Sequence, residues 1–369
     1  MGKLTVEIKD HEYEVHIGRE AYSLFATDYA ALLDSADRIG ILADENVAEL
    51  HLPLLQEALR KNGRDILVKT VPAGESCKSP AVYVECQSFL LQNNFTRNSL
   101  LIAFGGGACG DLTGFVAATF MRGIRYVQCP TTILAHDSAV GGKTAINMPE
   151  GKNMVGSFHQ PSGVIFQTEL FETLPPREIR SGMAELLKHA FISDKDWTDA
   201  LLSNPSFSKP SVEWLATELL KGIDVKARIV AEDEFEHSTR KFLNFGHTFG
   251  HAVEAVCGFG GLSHGECVMI GMAYSLILSE EQDGSIDAEV TKRFIQFALS
   301  NGYTFQPVHE HSFEQFLQYM EKDKKASFGK LNFVLLNEVG KPYVTEVTRE
   351  HCEFAFDRLR EKTEGEPIR

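Results

Sequence analysis

Three histidines lie close together in the sequence, at positions 247, 251 and 264. His247 and His251 are four residues apart, so a helix would place them on one face, while His264 must return from the following segment to meet them. An upstream acid could complete the set, and Glu185 is the best candidate. A carboxylate with imidazoles and open coordination positions is the ligand pattern of a catalytic divalent metal. The predicted chemistry is therefore metal-assisted catalysis.

A less specific interpretation is also open for these histidines. Two histidines at helical spacing can share a face by coincidence, or can be hydrogen-bonded core residues. Gly246 and Gly250 weaken that interpretation, because each glycine destabilises a helix by about 1 kcal/mol relative to alanine. Glycines placed among the histidines indicate either close approach of another backbone or access for a ligand.

A glycine cluster at residues 105–111 fits the pattern Gly-x-Gly-x-x-Gly. It follows the apolar run 100–104 and precedes a predicted helix at 112–120, whose first amides could hold a pyrophosphate. The usual fingerprint places an acid about twenty residues later, but Thr131 and Thr132 occupy that window. Asp44, after an earlier strand, could hold a ribose instead, which predicts an atypical strand order. A tight turn that needs glycine only for steric reasons explains the motif equally well.

Alternating strand-like and helix-like segments in the first half predict a parallel sheet. Strands are expected at 38–43, 65–68 and 100–104. After residues 173–178 the periodicity is helical, with apolar spacing through 184–187, 215–219 and 268–276, and residues 331–336 predict a short strand or buried turn. We expect an α/β N-terminal nucleotide-binding domain with a Rossmann-like parallel sheet at 1–177. An all-α C-terminal domain that binds metal and substrate is expected at 178–369.

The composition of this 369-residue chain is ordinary for a globular protein, with 43% hydrophobic and 24% charged residues. A formal net charge of −15 argues against nucleic acid and anionic membranes as partners. The seven cysteines show no Cys-x-x-Cys spacing, so neither a disulfide framework nor a thiolate zinc site is indicated. The start of the chain has no signal-peptide pattern and no run of 18 apolar residues occurs, which predicts a soluble cytoplasmic protein.

Several motifs together closely resemble the 3-dehydroquinate synthase family, across nearly the whole chain. They lie at residues 105–107, 120–123, 130–132, 137–144, 151–153, 182–185, 244–251 and 264–266. The resemblance implies an NAD- and zinc- or cobalt-dependent enzyme of the shikimate pathway, homodimeric, with an α/β nucleotide domain and a helical domain. It also implies the reaction. The substrate 3-deoxy-D-arabino-heptulosonate 7-phosphate would become 3-dehydroquinate and phosphate by transient oxidation with NAD, β-elimination, re-reduction and intramolecular aldol closure.

The resemblance further implies roles for individual residues. The metal would be held by Glu185, His247 and His264, while His251 would face the substrate phosphate. Contacts to NAD are implied for Asp44, Glu75, Lys78, Gly106, Gly107, Asp111, Thr131, Thr132, Lys143, Lys152 and Thr173. Contacts to the substrate are implied for Arg122, Asp137, Asn153, Lys188, Lys226, Arg240, Asn244, Lys324 and Lys325, with Lys143 in this set as well. Such a cluster of cations suits a substrate with a carboxylate and a phosphate.

Two positions depart from the family pattern. The segment 135–137 is one residue shorter before Asp137 than in most members, and Gln167 replaces a usual aspartate, which could alter a strand-end hydrogen bond near the nucleotide. We expect activity to survive the second change.

Three other functions compete with this interpretation. A metal- and NAD-dependent polyol dehydrogenase has a similar architecture, but its neutral substrates need no cations such as Lys143, Lys188, Lys226 and Arg240. Another sugar-phosphate cyclase is a closer rival, although Gly141-Gly142-Lys143-Thr144 resembles the dehydroquinate branch. A catalytically silent paralogue that binds NAD would be favoured by loss of metal binding in the purified protein.

Overall fold

The computed structural model describes residues 1–9, 11–60, 65–258, 261–283, 286–322 and 331–365. The chain divides into two compact units, the first comprising Met1–Leu174 with Ser211–Ala231 and the second Pro175–Pro210 with Glu232–Arg369. Segment 211–231 follows the predicted domain boundary at residue 177, yet it packs with the first unit. The assignment of cofactor, metal and substrate binding to domains stays a prediction.

The described residues form the following elements in chain order. The strands are β1 (Gly2–Ile8), β2 (His11–Gly18), β3 (Ile39–Asp44), β4 (Ile66–Val71), β5 (Leu100–Gly105), β6 (Arg125–Pro130), β7 (Lys143–Met148), β8 (Gly151–Phe158), β9 (Val164–Gln167), β10 (Leu331–Glu338) and β11 (Lys341–Val347). The helices are α1 (Ala30–Asp34), α2 (Glu45–Arg60), α3 (Pro80–Gln92), α4 (Gly107–Thr119), α5 (Ala135–Ser138), α6 (Pro176–Ser193), α7 (Lys195–Leu202), α8 (Val212–Glu232), α9 (His247–Cys257), α10 (His264–Asp283), α11 (Ala288–Ser300), α12 (Gln306–Glu310), α13 (Phe313–Lys322) and α14 (Arg349–Lys362). Short 3-10 turns lie at Ala21–Ala26, Gly74–Lys78, Phe120–Arg122, Thr168–Thr173 and Thr239–Asn244.

A seven-stranded sheet forms the centre of the first unit, in the order β1-β2-β9-β6-β5-β3-β4. All neighbouring strands pair in parallel except β1 and β2, which form an antiparallel hairpin. This order differs from the ordinary dinucleotide-binding arrangement, as the position of the acid predicted.

Apolar packing covers the sheet on both faces. Ile41 and Ile102 pack into one buried cluster with Leu55 of α2, while Leu42 and Leu101 pack into another with residues of α3 and α4. Because side chains alternate along a strand, each strand supplies both clusters. Residues of β3 and β5 are all buried, as expected of parallel strands with helices on both sides.

Helices dominate the second unit. Helix α10 is its central element, since nearly all side chains from Cys267 to Leu278 are completely buried, and a helix that is apolar all round belongs in a core. Strands β10 and β11 form one antiparallel hairpin in this unit, so residues 331–336 are a strand. The predicted fold class is confirmed, with this hairpin added to the helical part. Among the described helices, none is both long and apolar enough to span a membrane.

Candidate metal centre and nucleotide-binding turn

Three potential metal ligands converge in the second unit. Glu185 lies in the middle of α6 and is 1% exposed, while His247 and His264 are the first residues of α9 and α10. The Glu185 Oε1 atom lies 3.6 Å from His247 Nε2 and 3.4 Å from His264 Nε2. One ligand atom from each residue lies within 4.8 Å of the other two. A carboxylate oxygen and two imidazole nitrogens in this arrangement suit a divalent metal with open positions.

The outer nitrogens of both imidazoles face hydrogen-bond acceptors. His247 Nδ1 lies 3.2 Å from the carbonyl oxygen of Phe245, and His264 Nδ1 lies 3.5 Å from Glu254 Oε2. With a metal bound, a proton on each Nδ1 would leave the Nε2 lone pair available for the ion on the Glu185 side. Metal-ligating histidines almost always have such a partner, because it fixes the tautomer and the ring orientation.

Glycines bring the elements that carry these ligands close together. A Cβ atom on Gly265 would lie 2.0 Å from the carbonyl oxygen of Ser181 in α6, and one on Gly271 would lie 1.8 Å from that of Gly246. A Cβ atom on Gly250 would lie 3.0 Å from the Cys267 carbonyl oxygen. Close backbone approach is therefore one reason for the glycines among the histidines, and it sets His247 beside His264.

The first turn of α10 is fixed by a capping box. Glu266 Oε2 accepts a hydrogen bond from the Ser263 backbone N–H at 2.8 Å, and the Ser263 hydroxyl accepts one from Glu266 N–H at 3.4 Å. Arg180 of α6 donates to Glu266 Oε1 through Nε and Nη2, at 3.2 and 3.0 Å. Reciprocal capping satisfies amides at the helix start, so His264 is held at a defined position over α6.

Burial and neighbouring charges set the protonation of the cluster. Burial lowers the pKa of His247 well below its usual value, despite the nearby Glu185 carboxylate. Burial also lowers the pKa of His264, but bonds to Glu185 and Glu254 outweigh it and raise the pKa to about 10. The ammonium of Lys188 forms an ion pair with Glu185 Oε2 in the same buried space. A divalent ion would replace the proton held between His264 and Glu185.

The other predicted residues of the second unit that the structure describes lie beside this cluster or in the loop before it. His251 is exposed on α9, with its ring centroid 5.3 Å from that of His247 and 5.9 Å from that of His264. Arg240 is 1% exposed in the 3-10 turn Thr239–Asn244, and its guanidinium donates to the Glu234 carbonyl oxygen. Asn244 Nδ2 donates to Glu236 Oε1 at 2.6 Å. Lys324 and Lys325 lie outside the described residues.

The glycine cluster of the first unit lies where β5 passes into α4. Gly106 is the residue before the helix and Gly107 is its first residue, so the first amides of a 13-residue helix are available at this turn. A Cβ atom on Gly107 would lie 2.6 Å from Ser138 Oγ, and one on Gly106 would lie 3.1 Å from Thr132 Cγ2. Steric crowding therefore favours glycine at position 107, and more weakly at position 106. The helix start additionally fits an anionic group.

The carboxylate of Asp44 is already bonded to backbone amides at the end of β3. Its Oδ1 accepts from Asn46 N–H at 3.0 Å and from Val47 N–H at 3.3 Å, and its Oδ2 accepts from Gly74 N–H at 3.0 Å. Asp44 thus caps α2 and fixes the 74–78 turn. Asp44 is the last residue of β3, while Gly106 and Thr131 directly follow β5 and β6. Because these strands run parallel, the three residues lie at the same edge of the sheet.

Buried charge lies near the same edge. Lys78 Nζ, on a side chain 3% exposed, lies 2.6 Å from Asp111 Oδ2 and also donates to Asn153 Oδ1. Burial lowers the pKa of Lys78, but the Asp111 and Glu75 carboxylates outweigh it and raise the pKa. Glu75 Oε2 accepts from Asn147 Nδ2 at 2.8 Å. The first unit therefore holds a polar network of predicted cofactor and substrate residues.

The remaining predicted residues of the first unit lie on separate elements. Lys226 of α8 donates to the backbone carbonyl of Asp137 in α5, and its Nζ lies 3.4 Å from Asp137 Oδ2. Thr173 Oγ1 lies 2.8 Å from His51 Nε2. The others are Arg122 in the turn Phe120–Arg122, Lys143 at the start of β7 and Lys152 in β8.

The two departures from the family pattern also have defined surroundings. Gln167 ends β9, is 4% exposed, and accepts a hydrogen bond from Tyr22 N–H at 2.9 Å through Oε1. A carboxylate oxygen could accept the same bond, so the amide keeps this contact at the strand end. Asp137 lies within the four-residue helix α5, beside Lys226.

Sequence reasoning missed two acids that form hydrogen bonds with predicted site residues or with the loop that carries them. Glu254 lies seven residues after His247, two turns along α9 and therefore near the same face, and that spacing could have indicated it. Asp233 accepts four hydrogen bonds from the loop before Asn244. No regular spacing marks Asp233, because its partners are backbone amides of an irregular loop.

The fold and the site together define a class of proteins that have an α/β unit, a helical unit and a candidate divalent-metal centre. Residues 68–181 match the family model described as 3-dehydroquinate synthase N-terminal, and residues 182–326 match the one described as 3-dehydroquinate synthase C-terminal. The chain belongs to the 3-dehydroquinate synthase family, and its function is that of this enzyme. It is 50% identical to 3-dehydroquinate synthase of Lysinibacillus sphaericus (strain C3-41), over 97% of this chain and 98% of that protein. It is 43% identical to that of Bacillus cereus (strain ZK / E33L), over 98% and 99%.

Solved structures share the whole fold. One is 2-deoxy-scyllo-inosose synthase complexed with carbaglucose-6-phosphate, NAD+ and Co2+, with a TM-score of 0.85, 24% identity and coverage of 97% of this chain and 100% of that chain. Another is ValA, a 2-epi-5-epi-valiolone synthase from Streptomyces hygroscopicus subsp. jinggangensis 5008 with NAD+ and Zn2+ bound, with a TM-score of 0.84, 25% identity and coverage of 96% and 99%. A probable glycerol dehydrogenase from Sinorhizobium meliloti 1021 is more distant, at a TM-score of 0.65 and 16% identity with coverage of 95% and 97%.

Proposed function

We propose that this chain works as a carbon–oxygen lyase of the shikimate pathway that requires NAD and a divalent metal, zinc or cobalt. Its substrate would be 3-deoxy-D-arabino-heptulosonate 7-phosphate and its products 3-dehydroquinate and phosphate. The observation that carries the proposal is the convergence of Glu185, His247 and His264 within 4.8 Å in a member of this family. The related cyclases solved with NAD+ and with Co2+ or Zn2+ support the choice of cofactors.

Glu185, His247 and His264 would hold the metal. Their donor set fits the ion, because two neutral imidazoles and one carboxylate leave coordination positions for oxygen atoms of a substrate. When bound, the metal would act as a Lewis acid and acidify a substrate hydroxyl. Phe245 and Glu254 would keep the Nδ1 protons of the two imidazoles in place. Lys188, buried beside Glu185, would supply a positive charge next to the reacting oxygens.

The carboxyl edge of the sheet would hold NAD. The amides of Gly106 and Gly107 at the start of α4 would face its pyrophosphate. Thr131 and Thr132, which follow the neighbouring strand β6, would also contact NAD. Asp44 would face a ribose. When bound, NAD would supply a reversible hydride acceptor. The remaining proposed contacts are those of Glu75, Lys78, Asp111, Lys143, Lys152 and Thr173.

Cationic and polar side chains would hold the anionic substrate. An arginine fork, such as that of Arg240, suits a carboxylate or phosphate in a bidentate contact, and lysines suit them as point charges. His251 is exposed beside the metal ligands, so its imidazole could donate a proton to the departing phosphate oxygen. The other proposed contacts are Arg122, Asp137, Lys143, Asn153, Lys188, Lys226, Asn244 and the pair Lys324 and Lys325.

Homodimeric assembly and a cytoplasmic location complete the proposal. The assembly rests on the family resemblance, and the location is the expectation drawn in the sequence analysis. Sedimentation equilibrium of the purified chain would test the assembly, with a mass of twice 41.0 kDa expected for the dimer.

Metal content of two variants tests the proposed roles. Glu185→Ala should abolish both bound metal and turnover, because it removes the central carboxylate. His251→Ala should retain the metal yet slow phosphate release, because His251 lies outside the proposed ligand set. Metal analysis of both purified variants, with turnover of each, distinguishes the two roles. Equal loss of metal in both variants would contradict the assignment.

A further inference from the structure

Asp233 organises the loop that leads from α8 to α9. Its side chain is buried, with the residue 7% exposed. Its Oδ1 accepts a hydrogen bond from His237 N–H at 2.9 Å, and its Oδ2 accepts from Ser238 N–H at 2.7 Å and from Arg240 N–H at 3.1 Å. The Ser238 hydroxyl adds a fourth bond to Oδ2 at 3.3 Å. One carboxylate therefore fixes the backbone of three loop residues.

The fixed loop carries two of the proposed substrate contacts. Arg240 is 1% exposed, and its Nη1 donates to the carbonyl oxygen of Glu234, so the loop closes around its own guanidinium. Glu236, in the left-handed region at φ 62°, accepts a hydrogen bond from Asn244 Nδ2 at 2.6 Å. A residue other than glycine adopts that conformation only where its surroundings impose it. The bonds from Asp233 to His237, Ser238 and Arg240 hold the backbone directly after Glu236.

The charge of Asp233 suits this role. Burial raises the pKa of its carboxyl, but the bonds from the Ser238, His237 and Arg240 amides outweigh burial and lower the pKa to about 2. An ionised carboxylate only accepts hydrogen bonds, whereas an asparagine amide has one acceptor oxygen and an NH2 group that donates. Replacement by asparagine keeps the size but turns its NH2 group toward backbone N–H donors.

We propose that Asp233 is a positioning residue for substrate binding, which sets Arg240 and Asn244 through the loop at 233–240. The inference rests on the proposed function, in which Arg240 and Asn244 contact an anionic sugar phosphate. Asp233 itself bonds to the loop, and it acts on the substrate through these two side chains.

The kinetics of Asp233→Asn in the enzyme supplied with NAD and metal test this role. The KM for 3-deoxy-D-arabino-heptulosonate 7-phosphate should rise about tenfold or more, as for loss of a contact to a charged group, with kcat changed less and metal content unchanged. Asp287→Asn is the matched control. Asp287 also bonds a backbone amide, Glu289 N–H at 2.9 Å, at the start of α11, a helix that carries none of the proposed contacts.

Arg240→Met separates positioning from a general effect on folding. In the Arg240→Met background, Asp233→Asn should raise KM much less than it does in the wild type, because the positioned group is gone. Equal fold-changes in both backgrounds would overturn the inference, as would a KM in Asp233→Asn no higher than in Asp287→Asn. An unchanged KM in Arg240→Met alone would instead refute the proposed role of Arg240, and the inference would fall with it.

A milder variant covers the case in which Asp233→Asn does not fold. Ser238→Ala removes only the hydroxyl bond to Asp233 Oδ2 and leaves the backbone bonds. Its KM should rise by a smaller factor, about two- to threefold, and this rise should also shrink in the Arg240→Met background. A KM equal to that of the wild type would count against the inference.

Discussion

At the scale of single residues, the candidate metal centre depends on the hydrogen-bond acceptor that faces Nδ1 of each imidazole. His247 and His264 present Nε2 toward Glu185 because Nδ1 of each faces an acceptor, a backbone carbonyl in one case and the Glu254 carboxylate in the other. Side-chain spacing could predict that histidines of this stretch would lie together, and the structure places Glu185 beside them. Spacing alone could not distinguish the proposed ligands His247 and His264 from His251, because all three histidines lie near one another. That distinction depends on the family resemblance.

Glu254→Gln should weaken metal binding about 10- to 100-fold, the usual effect of losing an outer partner of a ligating histidine. The amide keeps the shape but lacks the charge that favours the His264 Nδ1 proton. Competition with a chromogenic chelator measures the affinity. Glu289→Gln on α11 serves as control, since the Glu289 carboxylate forms an ion pair with Lys292, away from the candidate metal ligands in sequence. Equal affinities for Glu254→Gln and wild type would refute this role.

At the scale of elements, close helix crossings build the site. Helices α6, α9 and α10 meet through Gly250, Gly265 and Gly271, where a Cβ atom would lie 3.0 Å or less from a carbonyl oxygen of a neighbouring element. The position of Gly250 among the histidines predicted either close approach of another backbone or access for a ligand. The helix that approaches each glycine could not be predicted. Ser181, which faces Gly265, is distant in sequence, and Cys267, which faces Gly250, lies outside the histidine motifs.

Gly265→Ala should destabilise the protein by about 1–3 kcal/mol, the usual cost of overpacking, and should reduce metal content. The new methyl group would force α10 away from α6 and His264 away from Glu185. Denaturant unfolding and metal analysis measure both effects. In Gly151→Ala, the control, the new Cβ atom meets only the flexible Met154 side chain, at 3.1 Å. Full metal content in Gly265→Ala would contradict this account of the crossing.

The loop after α8 should make stability depend on pH. The Asp233 carboxyl has its pKa lowered from 3.8 to about 2 in the folded protein. A lowered folded pKa contributes stability that is present above 3.8 and is lost as pH falls toward about 2. The free energy of unfolding of the wild type should therefore fall more steeply below pH 4 than that of Asp233→Asn. Urea unfolding at several acidic pH values measures the two slopes, and parallel slopes would contradict the assigned role.

The strands and the order of the sheet differ in how far sequence could predict them. Apolar runs placed β3, β4 and β5 within a few residues of their observed bounds. Strands β3 and β5 are buried throughout, so they leave a continuous apolar signal. Strand β4 is a partly exposed edge strand, and its apolar run Ile66-Leu67-Val68 marks it. The pairing of β9 between β2 and β6 has no such signal, since it depends on long-range contacts. The packing of segment 211–231 with the first unit is equally a matter of tertiary contacts.

At the scale of the whole molecule, an acidic protein must bind an acidic substrate. The net charge is −15, and three of the proposed cations already contact carboxylates, Lys78 with Asp111, Lys188 with Glu185 and Lys226 with Asp137. If Lys188 and Lys226 contact the substrate as proposed, they would meet it as members of existing ion pairs. The cofactor requirement is the most direct test of the proposed function.

The decisive measurement is phosphate release from 3-deoxy-D-arabino-heptulosonate 7-phosphate by chelator-treated, NAD-free protein, with NAD and zinc or cobalt added back singly and together. Absorbance of reduced NAD is followed in the same samples. We expect release only when both are present, with no net reduced NAD, because the hydride is returned in each turnover. No release, with reduced NAD accumulating from a polyol, would contradict the proposed function and favour a dehydrogenase.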